Sequence, residues 1–102
     1  MTEEMLRFVA ECRREKQPAA LTTIVSTQGS TPCKPGTSML VLRDGTTRGT
    51  IGGGCAEAEV KMKALTALDQ ERPCLTKVSL LAEAEDAGMV CGGIMEVFIQ
   101  PV

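Results

Sequence analysis

Apolar and polar positions follow two different periods along this chain, and the change of period divides it into elements. Over residues 3–16, Met5, Phe8, Val9 and Cys12 recur at helical spacing and predict a helix with one buried stripe. Thr2 suits its N-cap, and Glu3 and Glu4 suit the positive end of its dipole. Arg13, Arg14 and Lys16 suit its C-terminal end, and Pro18 blocks continuation. The β-branched run ALTTIVST, residues 20–27, predicts a strand. QGSTPCKPG follows, with two prolines and two glycines in nine residues, and predicts a kinked loop. SMLVLRDGTTRGTI predicts a hairpin: Met39 to Leu42, a two-residue turn at Asp44-Gly45, and a return strand through Ile51. Residues 55–69 predict a second helix, with Glu57 and Glu59 in its first turns and Val60, Ala64, Leu65, Ala67 and Leu68 as its apolar side. CLTKVSLL predicts another strand. In the closing strand, GIMEVFIQPV, Ile94, Glu96, Phe98 and Gln100 alternate with Met95, Val97 and Ile99.

The predicted order is helix, strand, hairpin, helix, strand, loop, strand. A hairpin requires antiparallel pairing, so the expected class is α+β: a mixed or antiparallel sheet of about four to five strands flanked by two helices. The 102 residues fit a single domain spanning 1–102 with a modest core. Only Phe8 and Phe98 are aromatic, so the core is expected to be aliphatic.

Charge narrows the function classes. The formal net charge is −2, and no basic block stands out, which argues against nucleic acid. No apolar run approaches membrane-spanning length, and the N-terminus lacks the order of a secretory signal, so a cytoplasmic location is expected. Five cysteines are widely spaced, without a CxxC pair and without histidine. That pattern disfavours structural zinc and a disulfide framework and predicts free thiols in a reducing compartment. Without histidine there is no Ser-His or Cys-His pair for acyl transfer.

Nine of the ten glycines fall in three segments, Gly29 to Gly36, Gly49 to Cys55 and Gly88 to Gly93, each carrying one cysteine. Glycines serve turns in any protein, yet this repetition predicts that the three segments converge on one site. In GTIGGGCAEAEV a strand runs through Gly52, Gly53 and Gly54 into a helix. Unpartnered amides at a helix start, approachable because no side chains intervene, suit an anion such as phosphate. The spacing is neither a Walker loop nor the dinucleotide fingerprint, since Glu57 stands where the latter needs Gly or Ala. Cys55 falls at the helix start, where the dipole favours thiolate, although a small buried residue is an equal alternative there. Cys91, before Gly92 and Gly93, is the second candidate thiol. Cys33 lies between two prolines beside Lys34, a candidate anion contact, and Ser30 and Thr31 are candidate hydrogen-bond donors that also simply finish turns. Cys12 and Cys74 fall on apolar faces and are expected in the core, and Glu83, Glu85 and Asp86 read as a solvated run.

Three strings, QGSTPCKPGTSMLV, GTIGGGCAEAEV and DAGMVCGGIMEVFIQP, resemble the signature segments of the XdhC/CoxI family, the xanthine dehydrogenase accessory factors. They stand in the family's order and spacing, and with the stretches between them the resemblance covers about Ala19 to Val102. It implies a protein that binds molybdenum cofactor, assists its sulfuration with a cysteine desulfurase, and hands it to a molybdenum hydroxylase of the xanthine dehydrogenase type. The residues matching the family pattern are Gly29, Ser30, Thr31, Pro32, Pro35 and Gly36, then Cys55 and Glu57, then Cys91, Gly92 and Gly93. Cys55 and Cys91 would be the ligands toward molybdenum. Cys33 departs from the pattern, because members commonly carry arginine there; Lys34 is the nearest substitute. Many members continue into a nucleotide-binding Rossmann domain, which is not expected in this sequence; either a separate Rossmann-domain protein supplies that half as a partner, or this is a stand-alone binding module. A homo-oligomer through an edge strand or a helix face is a further expectation. Two other readings fit the residues: a redox-active thiol protein, and a non-catalytic regulatory interaction module.

Overall fold

The computed structural model describes residues 2–31, 33–79 and 93–102, and of Cys55 only its place in a helix. Its elements in chain order are α1 (Glu3–Arg14), β1 (Ala19–Gln28), β2 (Ser38–Leu42), β3 (Thr47–Gly49), α2 (Gly54–Gln70), β4 (Cys74–Ser79) and β5 (Ile94–Pro101). The five strands form one sheet in the order β3-β2-β1-β5-β4, and every pairing is antiparallel. The class is therefore α+β, and the antiparallel form of the expected sheet is the one adopted.

The two helices lie on opposite faces of the sheet, and side-chain alternation explains how. Ala20 and Ile24 of β1, Met39 and Val41 of β2, Val78 of β4, and Met95, Val97 and Ile99 of β5 pack with Val60, Ala64, Ala67 and Leu68 of α2. The other side of β1 and β2 offers Ala19, Leu21, Leu40 and Leu42, which pack with Met5 and Cys12 of α1. The expected aliphatic core is thus two cores, one per face. The alternation in β5 holds throughout, with Met95, Val97 and Ile99 fully buried and the residues between them half-buried. Thr22 is a polar residue inside; its hydroxyl donates to the Met39 carbonyl at 2.7 Å, which satisfies it.

Three boundaries differ from expectation. Helix α1 stops at Arg14 because Lys16 turns left-handed, at φ 56°, and the Gln17 N–H returns to the Cys12 carbonyl at 2.8 Å. The hairpin loop holds three residues, Arg43, Asp44 and Gly45, because Leu42 N–H bonds the Thr46 carbonyl; Gly45 at φ 91° completes it. Strand β3 ends at Gly49 rather than Ile51, because Ile51 turns inward to join the α2-side core. A bulge at Val25, between the pairs Ile24–Val97 and Ser26–Glu96, shifts the register of β1 against β5. The predicted strand residues 80–81 lie outside the described residues.

Candidate functional site

Strand direction gathers the glycine segments. In the register of the sheet, the end of β1 at Gln28, the starts of β2 at Ser38 and β5 at Ile94, and the ends of β3 at Gly49 and β4 at Ser79 share one edge. The first two loop segments and Gly93 of the third adjoin these strand ends in the chain, and α2 starts five residues after Gly49.

The second segment has the most defined geometry. Gly52, Gly53 and Gly54 take φ of 123°, 75° and 65°, a run of positive values that side chains with a Cβ resist. A Cβ on Gly53 would meet nothing within 4 Å, so the space beside it is open. Gly53 is the N-cap of α2 and, as a glycine, offers no side-chain cap. The capping oxygen comes from Glu57 instead. Its Oε2 accepts from the Thr50 hydroxyl at 2.7 Å, from Gly53 N–H at 2.8 Å, and from Ile51 N–H at 3.4 Å. Gly52 N–H donates to the Thr50 hydroxyl oxygen at 3.1 Å. Two of the amides expected to await a ligand are therefore engaged within the loop. An anionic oxygen already sits where the sequence pattern predicts one, and it belongs to the protein. The amides of the first turn, Gly54 to Ala56, lie beyond it.

The first and third segments touch. A Cβ on Gly93 would stand 2.0 Å from the Ser30 carbonyl oxygen and 2.7 Å from the Thr31 methyl, so only glycine lets β5 begin there. Thr31 donates its hydroxyl to the Cys33 carbonyl at 3.0 Å, closing a local turn, while Ser30 and Lys34 are exposed at the pole. Cys33 is half-buried against the α2-side core, the same core Ile51 enters from the second segment. The structure thus joins Ser30, Thr31 and Gly93 in one contact and Gly52, Gly53 and Glu57 in one loop, with the first and second segments both reaching the α2-side core through Cys33 and Ile51. Cys91 and Gly92 lie outside the described residues, as do Gly88, Pro32 and the acidic run, and of the Cys55 side chain nothing is described.

Thr50 is the residue that motif reading missed. Its signal is a hydroxyl residue at the end of a strand, followed by a glycine N-cap and a glutamate four residues beyond that cap. Elsewhere, Cys12 is buried, and Cys33 and Cys74 are half-buried, all three as free thiols. Burial first, then the neighbouring Glu11 and Glu15 carboxylates, raise the Cys12 thiol above its ordinary value, against a smaller opposing effect of Arg48. Among the described residues no group of three or more His, Cys, Asp or Glu side chains is placed to hold a metal ion. No helix among them is long and apolar enough to cross a membrane.

A five-stranded antiparallel sheet with one helix on each face defines a small α+β domain. Residues 12–79 match the family model described as the XdhC and CoxI family, and the chain belongs to that family. It is 41% identical over 95 residues to the uncharacterized protein YqeB of Escherichia coli, covering 90% of this chain and 17% of that protein. It is 31% identical to a probable xanthine dehydrogenase subunit of Bacillus subtilis, covering 86% of this chain and 28% of the relative. It is 30% identical to the molybdenum cofactor insertion chaperone PaoD of E. coli, covering 87% of this chain and 28% of the relative. A crystal structure of a xanthine dehydrogenase from Bacillus halodurans superposes with a TM-score of 0.80 at 29% identity, over 94% of this chain and 30% of that one. The chain therefore spans less than a third of the length of each of these relatives.

Proposed function

We propose that this domain binds molybdenum cofactor at its glycine-lined pole and serves as an accessory factor for a molybdenum hydroxylase of the xanthine dehydrogenase type. The observation that carries the reading is the Glu57 carboxylate held by the Thr50 hydroxyl and the Ile51 and Gly53 amides. It is an internal anion, and its coordination supports a loop suited to charged oxygen. The phosphate of the cofactor fits the next amides, Gly54 to Ala56, where the α2 dipole is positive and the space beside Gly53 is open. Glu57 both shapes the loop and repels a second anion from its own amides, which directs the phosphate outward to the first turn. Lys34, exposed on the first segment, is the proposed cation to offset that repulsion.

When bound, the cofactor supplies the redox chemistry at molybdenum that the target hydroxylase uses. The role of this chain is to hold it and shield it. Cys55, in the first turn of α2, and Cys91, just ahead of β5 in the chain, are the proposed soft ligands toward the molybdenum end. A cysteine desulfurase is the proposed sulfur source, and a Rossmann-domain protein a proposed further partner. The names of PaoD and of the B. subtilis relative support the accessory role.

The test is anaerobic incubation of the purified chain with released cofactor, followed by gel filtration and assay for molybdenum and pterin. Co-elution is expected, and Cys55→Ala should reduce activation of a cofactor-free hydroxylase. Absence of retained cofactor, together with unchanged activation by Cys55→Ala, would remove the basis for this reading.

A further inference from the structure

The two edge strands of the sheet differ. Strand β3 has three residues, whereas β4 has six, Cys74–Ser79. Among the described residues β4 is paired on one side only, with β5. Its other side offers backbone donors and acceptors to a further strand. Side chains alternate along it. Thr76 and Val78 are buried toward α2, while Leu75, 58% exposed, and Lys77 point to the opposite face. On that face α1 packs over β1, β2 and β3, at the far end of the sheet. Leu75 stands in register with Phe98 of β5 and, through it, with Thr23 of β1. Lys77 stands in register with Glu96 and, through it, with Ser26. An apolar row and a charged row therefore reach the same strand edge side by side.

This edge is self-complementary in one register. Antiparallel pairing of β4 with β4 of a second copy sets like faces together only when the two-fold axis passes through a residue. Centred on Lys77, the two Lys77 side chains would oppose each other as like charges. Centred on Leu75 or Val78, the overlap within the strand shrinks to three residues. Centred on Thr76, residues 74–78 all pair, Cys74 meets Val78 of the second copy, and Leu75 meets its Lys77. The aliphatic stem of that Lys77 covers the exposed Leu75, while its ammonium stays beside Glu96 of its own copy. Thr76 suits the axis. Its hydroxyl is buried and accepts from Lys63 Nζ at 2.6 Å, and a hydroxyl that accepts keeps a proton and a second lone pair for its twin. The two Lys63 ammoniums approach the axis from the α2 side, but both residues are exposed, so solvent and salt screen their repulsion. We propose that two copies of this chain associate through β4, antiparallel and centred on Thr76, into one sheet with five strands from each copy. The pairing is independent of the cofactor reading.

The test is sedimentation equilibrium of the full chain over a range of concentrations, with amide hydrogen exchange at both ends of that range. A monomer–dimer equilibrium is expected. Amides of β4 should exchange more slowly in the dimer, and those of the other edge strand, β3, at an unchanged rate. Two substitutions at the exposed Leu75 read the register. Leu75→Lys places like charges opposite each other at two symmetric positions and should weaken the dimer at least about tenfold. Leu75→Glu places opposite charges there and should leave the dimer as tight as wild type or tighter. The proposal is overturned if the chain stays monomeric up to about 1 mM, the weak limit of specific association. It is equally overturned if a dimer forms without protection of β4, or if Leu75→Lys and Leu75→Glu weaken it alike, as burial of Leu75 against an apolar surface would require.

Discussion

The Glu57 carboxylate accepts the Gly53 amide at 2.8 Å, so α2 begins on a loop closed by its own acid four residues ahead. With its acceptances from Thr50 and Ile51, this contact closes the loop that carries three consecutive positive-φ glycines into the first turn of α2.

Removing that acid should loosen the loop. Glu57→Ala is expected to cost about 1–2 kcal/mol, the range for a charged hydrogen bond in a partly exposed setting, and Glu57→Gln about 1 kcal/mol. Urea unfolding followed by helical circular dichroism reads this as a lower midpoint with an unchanged slope. A midpoint equal to wild type would show that Glu57 does not organise the loop.

Two glycines of the pole should each lose stability on substitution by alanine, for different reasons. Gly53→Ala meets open space but must take φ 75° with ψ −171°, a region nearly confined to glycine, at about 1–3 kcal/mol. Gly93→Ala drives a Cβ onto the Ser30 carbonyl, a backbone atom, and should cost about 2–3 kcal/mol by forcing the first and third segments apart. A Gly93→Ala protein as stable as wild type in urea unfolding would contradict the close approach.

The Cys12 thiol should be slow to react with an aromatic disulfide reagent in the native protein and fast after denaturation, because it is buried with its ionisation raised. The sign for stability follows. The thiol is raised in the folded state, so its contribution is complete below the ordinary value of 9.0 and is lost as pH rises through the folded value. Cys12→Ala should therefore flatten the fall in stability above that pH. An identical alkaline fall in the variant would refute the assignment.

Much of the fold is readable from local pattern. Alternation in Ile94 to Gln100 and helical spacing in Met5, Phe8, Val9 and Cys12 report burial directly, so the class, both helices and the strands are within reach. The misplaced ends have tertiary causes. The left-handed Lys16, the third loop residue in the hairpin and the inward turn of Ile51 depend on partners that no local window contains. The site is half legible. Glycine-rich loops announce a backbone-lined pole, and the register of the sheet gathers them. Pattern reading leaves the amides of Gly52 and Gly53 free, because the acceptance by Thr50 and Glu57 is a matter of side-chain geometry. The braced position of Phe8 under Arg48 is invisible for the same reason, since forty residues separate them in the chain.

Everything proposed for the pole depends on the α2 N-terminus as the cofactor anchor. The measurement is cofactor affinity of the wild-type chain against Gly53→Ala under anaerobic conditions, by equilibrium dialysis with molybdenum and pterin both assayed. A Cβ at Gly53 would meet nothing within 4 Å, and helical circular dichroism of the variant checks that α2 survives the strain of φ 75° with ψ −171°. The expected result is stoichiometric binding by wild type and at least about tenfold weaker binding by Gly53→Ala, with both components lost together. Equal affinity in the two proteins, or no binding by wild type, would mean that α2 is not the anchor.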